Sequence, residues 1–429
     1  MSKPRVLYVC NNHPKTSPGG AEIYSYELYH AVRDHGAFDP LFVAKVGPPM
    51  SIDPRPEETR FSRAGSDPND YLFYTEHHEF DLVTWTSNRK GLYIEDWRTF
   101  LNTVKPDLVH FQHVAFLGFD LVRETRRTLP DVPIIYMLHE FMPICHHNGQ
   151  MVRRDTSELC YSASPARCHR CFPKVSPEAF FLRERFIKAA FEFVDLFITP
   201  SAHARQRYIE WGIPPEKIRH EDHGRVPVPA LPDPPDAGHR RRIGFVGQIT
   251  RFKGVDVLLE AMKILQQREV PVQLVLHGAN LERNAGFFQE QIRQLLEETK
   301  GSVRFPGRYE QSELPGILSA VDWVIVPSIW WETGPLVIHE ALQHHRPVIC
   351  SDIGSMVERI QDGVNGLLFR AGDPYNLADT IQRAVSSPEL WARLRGGIKK
   401  PKTMDEHAAR IIAIYDELLE ARAASPVAA

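Results

Sequence analysis

Long apolar runs are missing from this chain. No stretch approaches the roughly 20 consecutive apolar residues that span a bilayer. The opening MSKPRVLYVCNNH holds too short an apolar run for a signal peptide and ends in polar residues. The expected location is therefore the cytoplasm. An excess of one charge is missing too: 51 Lys and Arg face 54 Asp and Glu, a net charge of −3, so no global basic field recommends nucleic acid as a partner. Cysteine is sparse, six in 429 residues, which argues against a disulfide scaffold. What remains is the composition of a globular protein, 43% apolar and 24% charged, long enough for two domains with ample core.

The most informative stretch is Val324–Leu342, VIVPSIWWETGPLVIHEAL. It reads as a buried strand over 323–327, a tight loop over 328–334 and a helix opening at Pro335. Proline at the first helical position wastes no donor, and Thr333 or Gly334 can serve as the cap. The amides of Gly334–Val337, including Leu336, would then form a seat for a phosphate. Glu332 stands at the mouth of that seat. Glu340 lies one to two turns inside the helix, on one side with Leu336, Val337 and His344. A carboxylate among apolar neighbours costs desolvation unless something binds it, and sugar hydroxyls are good partners. An isolated pair of glutamates at this spacing would read as a solvated helix face; the preceding strand and the Gly-Pro turn favour a ligand site.

Strand and helix alternate along the rest of the chain, which implies parallel sheets. Strands are expected at Arg5–Val9, Leu41–Lys45, 106–111, Ile134–Leu138 and 195–200. Helices are expected at 23–32, Ile94–Val104, Leu117–Leu129, Phe180–Val194 and 202–211. Residues 50–100 carry aromatic, charged and proline residues without clean periodicity and read as an irregular, partly helical excursion, with His77 and His78 at the surface. The glycine turn Gly19-Gly20 follows the first strand but lacks the full G-x-G-x-x-G spacing. His139 closes the strand Ile134–Leu138, at the end where ligands bind in such sheets; His113 is a weaker candidate. Val226–Gly238 is proline-dense and reads as a linker. Beyond it come strands at Ile243–Gly247, Val272–His277, Val303–Phe305, Pro347–Ser351 and Gly366–Phe369. Helices follow at Val255–Gln267, Phe287–Thr299, Leu314–Val321, Pro374–Ser386 and Met404–Ala421. Lys253, at a helix start after a basic loop that also holds Arg251, adds a full charge to the partial positive charge there and suits a diphosphate.

Four cysteines crowd one segment, Cys145, Cys160, Cys168 and Cys171, spaced C-x14-C-x7-C-x2-C. A Cys-x-x-Cys knuckle with two further thiols can complete a structural zinc site, four thiolates leaving no open position for catalysis. An iron–sulfur cluster, a redox disulfide and four reduced thiols are the other readings. The intervening residues are polar and turn-rich, so the loop has little core of its own.

The Glu332–Glu340 pair resembles the E-x7-E motif of the retaining family 4 glycosyltransferases; the resemblance runs from about residue 5 to about 420, strongest over 240–390, and residues 351–385 resemble the family's C-terminal domain almost element for element. The resemblance implies the GT-B fold: two Rossmann-like α/β domains of parallel sheet facing across a cleft. The N-terminal domain would cover 1–225 with the cysteine loop 145–171, the linker 226–238, the C-terminal domain 239–402, and the helix of 403–429 would cross back to the first. It implies that Glu332 meets the donor sugar and Glu340 the nucleotide ribose, with the loop amides, Thr333 to Val337, on the diphosphate. Lys253-Gly254 matches the basic grip on the diphosphate. Gln248 stands where an arginine is expected, and Arg251 compensates. Gly20, in a GG-x-E loop, would face the diphosphate and acceptor, and His139 would sit beside the donor sugar, followed here by Glu140 in place of the usual aspartate. The implied reaction is hexosyl transfer, with retention, from a UDP- or GDP-type sugar to a glycan, lipid-linked or small-molecule acceptor, in polysaccharide or similar biosynthesis. The chain has no Asp-x-Asp, the metal–diphosphate handle of the other major glycosyltransferase fold, so a metal-independent mechanism without cofactor is expected. A peripheral contact with the inner membrane face is compatible with the amphipathic 180–194 segment. The rivals are a GT-B sugar-nucleotide epimerase or hydrolase, which would use water and need acid–base groups at the sugar ring, and a non-catalytic sugar-nucleotide binder.

Overall fold

The computed structural model describes residues 3–48, 59–88, 90–229 and 239–424. It separates into two compact units, Met1–Val226 with Lys402–Ala429, and Pro227–Pro401. Most of the proline-dense linker segment, residues 230–238, lies outside the described residues.

The first unit is built on an eight-stranded sheet. Its order is Ile218–His220, Leu196–Thr199, Ile134–Met137, Leu108–Phe111, Arg5–Cys10, Asp39–Val46, Asp70–Tyr74 and Phe61–Arg63. All neighbours run parallel except the last pair. The central strands are near-continuous apolar runs, RVLYVC and LVHF among them, buried along nearly their whole length. That is what a parallel strand covered on both faces requires. The chain enters at the middle, turns one way to Asp39–Val46, then returns to Leu108–Phe111 on the other side of the first strand.

Part of the excursion read as irregular is ordered. Asp70–Tyr74 adds to the sheet beside Asp39–Val46, and Phe61–Arg63 closes the edge. Their short sequences carry no strand signal of their own; pairing to a strand already in place decides them. Residues 49–58 of that excursion lie outside the described residues. His77 and His78 are exposed on a single 3-10 turn, as expected. The helix expected at Leu117–Leu129 begins only at Asp120, because Phe116 and Gly118 stand at φ of 55° and 81°, outside helical space. The helix expected at Phe180–Val194 runs Pro177–Phe191, capped by Ser176, whose side chain accepts from Ala179 N. The terminal helix Met404–Ala424 belongs to the first unit. Tyr415 Oη lies 2.9 Å from Tyr8 Oη and 2.7 Å from His110 Nδ1, and His407 Nε2 lies 2.6 Å from Tyr24 Oη.

The second unit has a six-stranded, wholly parallel sheet. Its order is Val303–Gly307, Gln273–His277, Arg242–Val246, Trp323–Val326, Val348–Ser351 and Gly366–Phe369. One apolar cluster, with Leu258, Trp323, Ile381 and Trp391, covers one face and another, with Val324, Ile338 and Met356, covers the other. The chain leaves Arg242–Val246 in one direction and comes back to Trp323–Val326 on its opposite side. The crevice beyond the carboxyl ends of two such strands is where ligands bind in open parallel sheets.

Two loops meet at that crevice, and a glycine sets how closely. Gly254 stands at φ 66°, and a Cβ there would come 1.9 Å from the Pro327 carbonyl oxygen. The neighbouring backbone is tied across, Ile329 N donating to Phe252 O at 2.9 Å. Gly254→Ala should therefore lose about 3 kcal/mol or more, from positive φ and overpacking together. Gly286→Ala, whose Cβ would meet nothing within 4 Å, is the control. Urea denaturation of both variants checks this; equal midpoints would refute it.

Candidate functional site

The loop after Arg242–Val246 ends in a single turn, Arg251–Lys253, before the helix Val255–Gln267. The loop after Trp323–Val326 carries Ser328 to Pro335 into the helix Leu336–Gln343. Lys253 Nζ lies 2.6 Å from Glu332 Oε1. Ser328 Oγ donates to the same oxygen at 2.7 Å, and Trp330 Nε1 at 2.9 Å. Glu332 is only 5% exposed, so its charge is carried by these donors in place of water. The Lys253 ammonium also lies 5.3 Å from the Trp330 ring centroid, a cation–π distance. Ser328 and Trp330 were not among the sequence candidates; both sit in the SIWWE run just before Glu332 and were open to notice.

The helix opens one residue later than expected. Pro335 is its N-cap, with extended backbone and no side-chain capping bond, and Leu336 is the first helical residue. Proline here ends the loop without beginning the helix. The seat is therefore narrower, since Pro335 has no N–H, and the orphan donors of the first turn are those of Leu336 and Val337 with Gly334 just before. These residues are half-buried, Thr333 is buried, and Arg251 is exposed on its turn. Glu340 is 8% exposed and accepts from Gln311 Nε2 at 3.3 Å. Gln311 comes from a separate 3-10 turn, Gln311–Glu313, and no local pattern pointed to it.

The other candidates lie in the first unit. Gly20 is the first residue of the helix Gly20–His35 and is exposed. Gly19 before it packs beside Glu22: a Cβ on Gly19 would come 2.4 Å from Glu22 Oε2, the far end of that side chain. Glu22 accepts from Asn12 Nδ2 at 3.0 Å, and burial pushes its carboxyl above the ordinary range. His139 follows the strand Ile134–Met137 and is 8% exposed. Its Nε2 lies 3.0 Å from Gln112 Oε1, and its ring packs 5.1 Å from Tyr24. Burial, aided by His113 and His110, holds it well below the ordinary histidine range, so it is neutral at physiological pH. His113 Nε2 lies 3.4 Å from Glu140 Oε1. Gln112, at the carboxyl end of Leu108–Phe111, went unnoticed in the sequence although it closes the central strand of the switch.

None of the four clustered cysteines is exposed, and Cys160 Sγ donates to Ser162 O at 3.4 Å. Among the described residues no group of three or more His, Cys, Asp or Glu is placed to hold a metal ion, so the expected zinc centre has no formed ligand set. Four thiolates at zinc distance would have their sulfurs in mutual contact. All four border one open pocket, together with Ile144, Met151 and Phe172. No described helix is long and apolar enough to cross a membrane.

The buried titrating groups give the first unit a defined pH response. Burial holds His113 at about 4 and His110, with help from His407, at about 3. The unfolded chain takes up these protons below about 6.5 while the folded chain does not, so stability falls as pH drops from about 6.5 toward 4. Glu140, pushed up to about 8 by burial, works the other way: its folded form keeps a proton that the unfolded chain has lost, and stability falls as pH rises from the ordinary carboxyl range through about 8. Urea midpoints between pH 4.5 and 8.5 should show a shallower acid limb for His113→Gln and a shallower alkaline limb for Glu140→Gln. Unchanged limbs in both variants would contradict the assignment.

Comparison with known proteins bears on the fold and the family. A family model described as Glycosyltransferase Family 4 matches residues 18–220, and one described as Glycosyl transferases group 1 matches residues 240–387. A D-inositol 3-phosphate glycosyltransferase of Corynebacterium jeikeium is 35% identical over 151 residues, 34% of this chain and 36% of that protein. The chain thus matches little more than a third of that relative's length. Sucrose-phosphate synthase from Thermosynechococcus elongatus superposes with a TM-score of 0.73 at 20% identity, over 98% of this chain and 100% of that one. Anabaena Alr3699/HepE in complex with UDP superposes with a TM-score of 0.65 at 16% identity, over 98% and 100%. At these identities the two structures speak for the fold, which is GT-B. With one family model matched in each of its two units, the chain belongs to the family 4, group 1 glycosyltransferases.

Proposed function

We propose that this protein is a retaining hexosyltransferase that takes its sugar from a UDP- or GDP-type nucleotide donor without a catalytic metal. The observation that carries the reading is the Lys253–Glu332 contact at the switch point of the second sheet, beside the helix start at Leu336. A donor needs a cation and free amides for its diphosphate, and a carboxylate for its hydroxyls. These groups converge there. All three donors to Glu332 reach Oε1, which leaves Oε2 to accept from a sugar hydroxyl. Glu340, a turn inside the helix, would accept from the ribose. Lys253, helped by Arg251, would move from Glu332 toward the diphosphate.

In transfer, the bond from the anomeric carbon to the diphosphate oxygen breaks and the acceptor hydroxyl oxygen bonds to that carbon on the same face. The acceptor proton leaves with the departing diphosphate. Negative charge grows on the leaving oxygen, where Lys253 and the amides of Gly334, Leu336 and Val337 stabilise it. In the first unit, neutral His139 would donate or accept a hydrogen bond beside the sugar, and Gly20 would let backbone approach the ligand. The acceptor would be a glycan, a lipid-linked sugar or a small molecule. On the helix Pro177–Phe191, Phe181, Leu182 and Phe186 are each about half exposed beside Arg185, a surface suited to meeting a lipid-linked acceptor at the inner membrane face.

Thermal-shift titration with UDP-, GDP-, ADP- and TDP-sugars tests the donor site, since a ligand of the native state must raise the midpoint. One nucleotide class should stabilise the protein, and Lys253→Met and Glu340→Ala should each weaken that binding about 10- to 100-fold. No shift with any donor would refute the reading. Once an acceptor is found, Glu332→Gln should lower kcat about 100-fold with a small change in KM, and proton NMR of the product should show the donor's anomeric configuration. An inverted product would overturn retention, and turnover of donor to an epimer or free sugar alone would favour the rival GT-B chemistry.

A further inference from the structure

Gln112 follows the strand Leu108–Phe111, and its backbone N–H still pairs with Val9 O at 2.8 Å, so its side chain starts from the carboxyl end of the first sheet. That side chain is fully buried. Two groups face its amide oxygen Oε1. Ser25 Oγ, from the helix Gly20–His35, lies at 3.2 Å, and His139 Nε2, just past the strand Ile134–Met137, lies at 3.0 Å. Both residues are buried as well. The amide nitrogen Nε2, with two protons to donate, has no partner among the described residues. Buried amides in folded proteins use their donors.

The Ser25 hydroxyl carries a single proton. Its nearest acceptor is Ala21 O at 2.5 Å, one helical turn back, the bond that a helical serine commonly makes. Ser25 Oγ therefore turns a lone pair toward Gln112. A carbonyl oxygen opposite it would set lone pair against lone pair, whereas an amide nitrogen would make a hydrogen bond. The two orientations of the Gln112 amide fill the same space and differ only in the bonds they allow. With Nε2 toward the pair, one proton goes to Ser25 Oγ and the other to His139 Nε2, while Ser25 keeps its bond to Ala21. That is one hydrogen bond more than the opposite orientation allows, and the group left over is a carbonyl oxygen in place of an N–H pair. A neutral imidazole that accepts at Nε2 carries its proton on Nδ1.

We propose that Gln112, held by Ser25, is a positioning residue that fixes His139 in the Nδ1–H tautomer. The tautomer is a property of the first unit alone; its use on a sugar rests on the transferase reading above. Under that reading, Nε2 is committed to Gln112 and the ring meets a sugar oxygen at Nδ1, as a hydrogen-bond donor and not as an acceptor. A donor sugar lacking an oxygen there loses the contact, so the pair Gln112–His139 selects among sugars as well as orienting one.

The test is long-range proton–nitrogen correlation NMR of the full chain carrying isotope-labelled histidine, with His139 assigned by the signal lost in His139→Gln. At physiological pH the wild type should show a protonated Nδ1 and a bare Nε2. Gln112→Glu, whose carboxylate only accepts, should move the proton to Nε2, and Gln112→Met, which does neither, should give a mixture. A wild-type His139 protonated at Nε2 would overturn the proposal, as would a tautomer unchanged in a folded Gln112→Glu. Where circular dichroism shows that a variant has not folded, the wild-type spectrum decides alone. In transfer assays Gln112→Glu should lower kcat/KM about 10- to 100-fold, with thermal-shift binding of the free nucleotide unchanged. The predicted tautomer in a protein that binds and turns over no nucleotide sugar would sink the transferase reading and leave the tautomer standing; an active enzyme with the opposite tautomer would sink this inference alone.

Discussion

The Lys253 ammonium lies 2.6 Å from Glu332 because two loops leaving neighbouring strands are pressed together where a side chain cannot intervene. Gly254 touches the Pro327 carbonyl, Phe252 and Ile329 share a backbone hydrogen bond, and the two functional side chains inherit their spacing from that contact. The electrostatics follow from the same closeness. Glu332 is too buried to be hydrated and would be costly as a bare carboxylate. Lys253, Ser328 and Trp330 compensate it before any ligand arrives. On the proposed reading, an anionic diphosphate would compete with Glu332 for Lys253 while the sugar hydroxyls took that lysine's place at Glu332. Donor and protein would then exchange partners without leaving either charge unmet, which would keep the binding cost of desolvation small.

The first unit shows a different economy. Its switch point, between Arg5–Cys10 and Leu108–Phe111, is filled by neutral polar groups: Gln112 against His139, His139 against Tyr24, and Tyr24 hydrogen-bonded to His407 of the terminal helix. His110 and Tyr8 meet Tyr415 of the same helix. Burial keeps His110 and His139 unprotonated, so they serve as hydrogen-bonding groups with no net charge. The second unit differs: its loops bring the charged pair Lys253 and Glu332 together.

What the sequence disclosed and what it concealed divide along physical lines. Elements whose signal is local were legible: apolar strands such as RVLYVC and VIVP, Glu340 on the helix that follows Glu332, and Lys253 at a helix start. Elements decided by a distant partner were not. Asp70–Tyr74 is a strand because Asp39–Val46 offers it a pairing edge. Gln311 reaches Glu340 from another segment, and Gln112 reaches His139 from another strand. One class of omission was avoidable. Three helices open on serine followed by proline, at Ser164, Ser176 and Ser387, and in each the serine side chain accepts from an amide of the first turn. That pair of residues is a start signal with a mechanism. Reading it would have moved one helix by three residues and revealed Pro165–Cys171 and Pro388–Gly396. At Pro335 the same proline rule misplaced the helix start by one, because the residue before it, Gly334, brings no capping side chain.

The Pro165–Cys171 helix carries the sharpest consequence of that omission. Seen as loop, the cysteine segment has four thiols at spacings that fit several chemistries equally well. Seen as a capped helix opposite a hairpin, it has two rigid arms, and the question becomes what separation they impose. Short helices without a buried face have little reason to hold position by themselves, and this one buries no residue. Its placement therefore depends on the helix Pro177–Phe191 it packs against and on Phe172 at its end, whose ring lies 4.7 Å from His146.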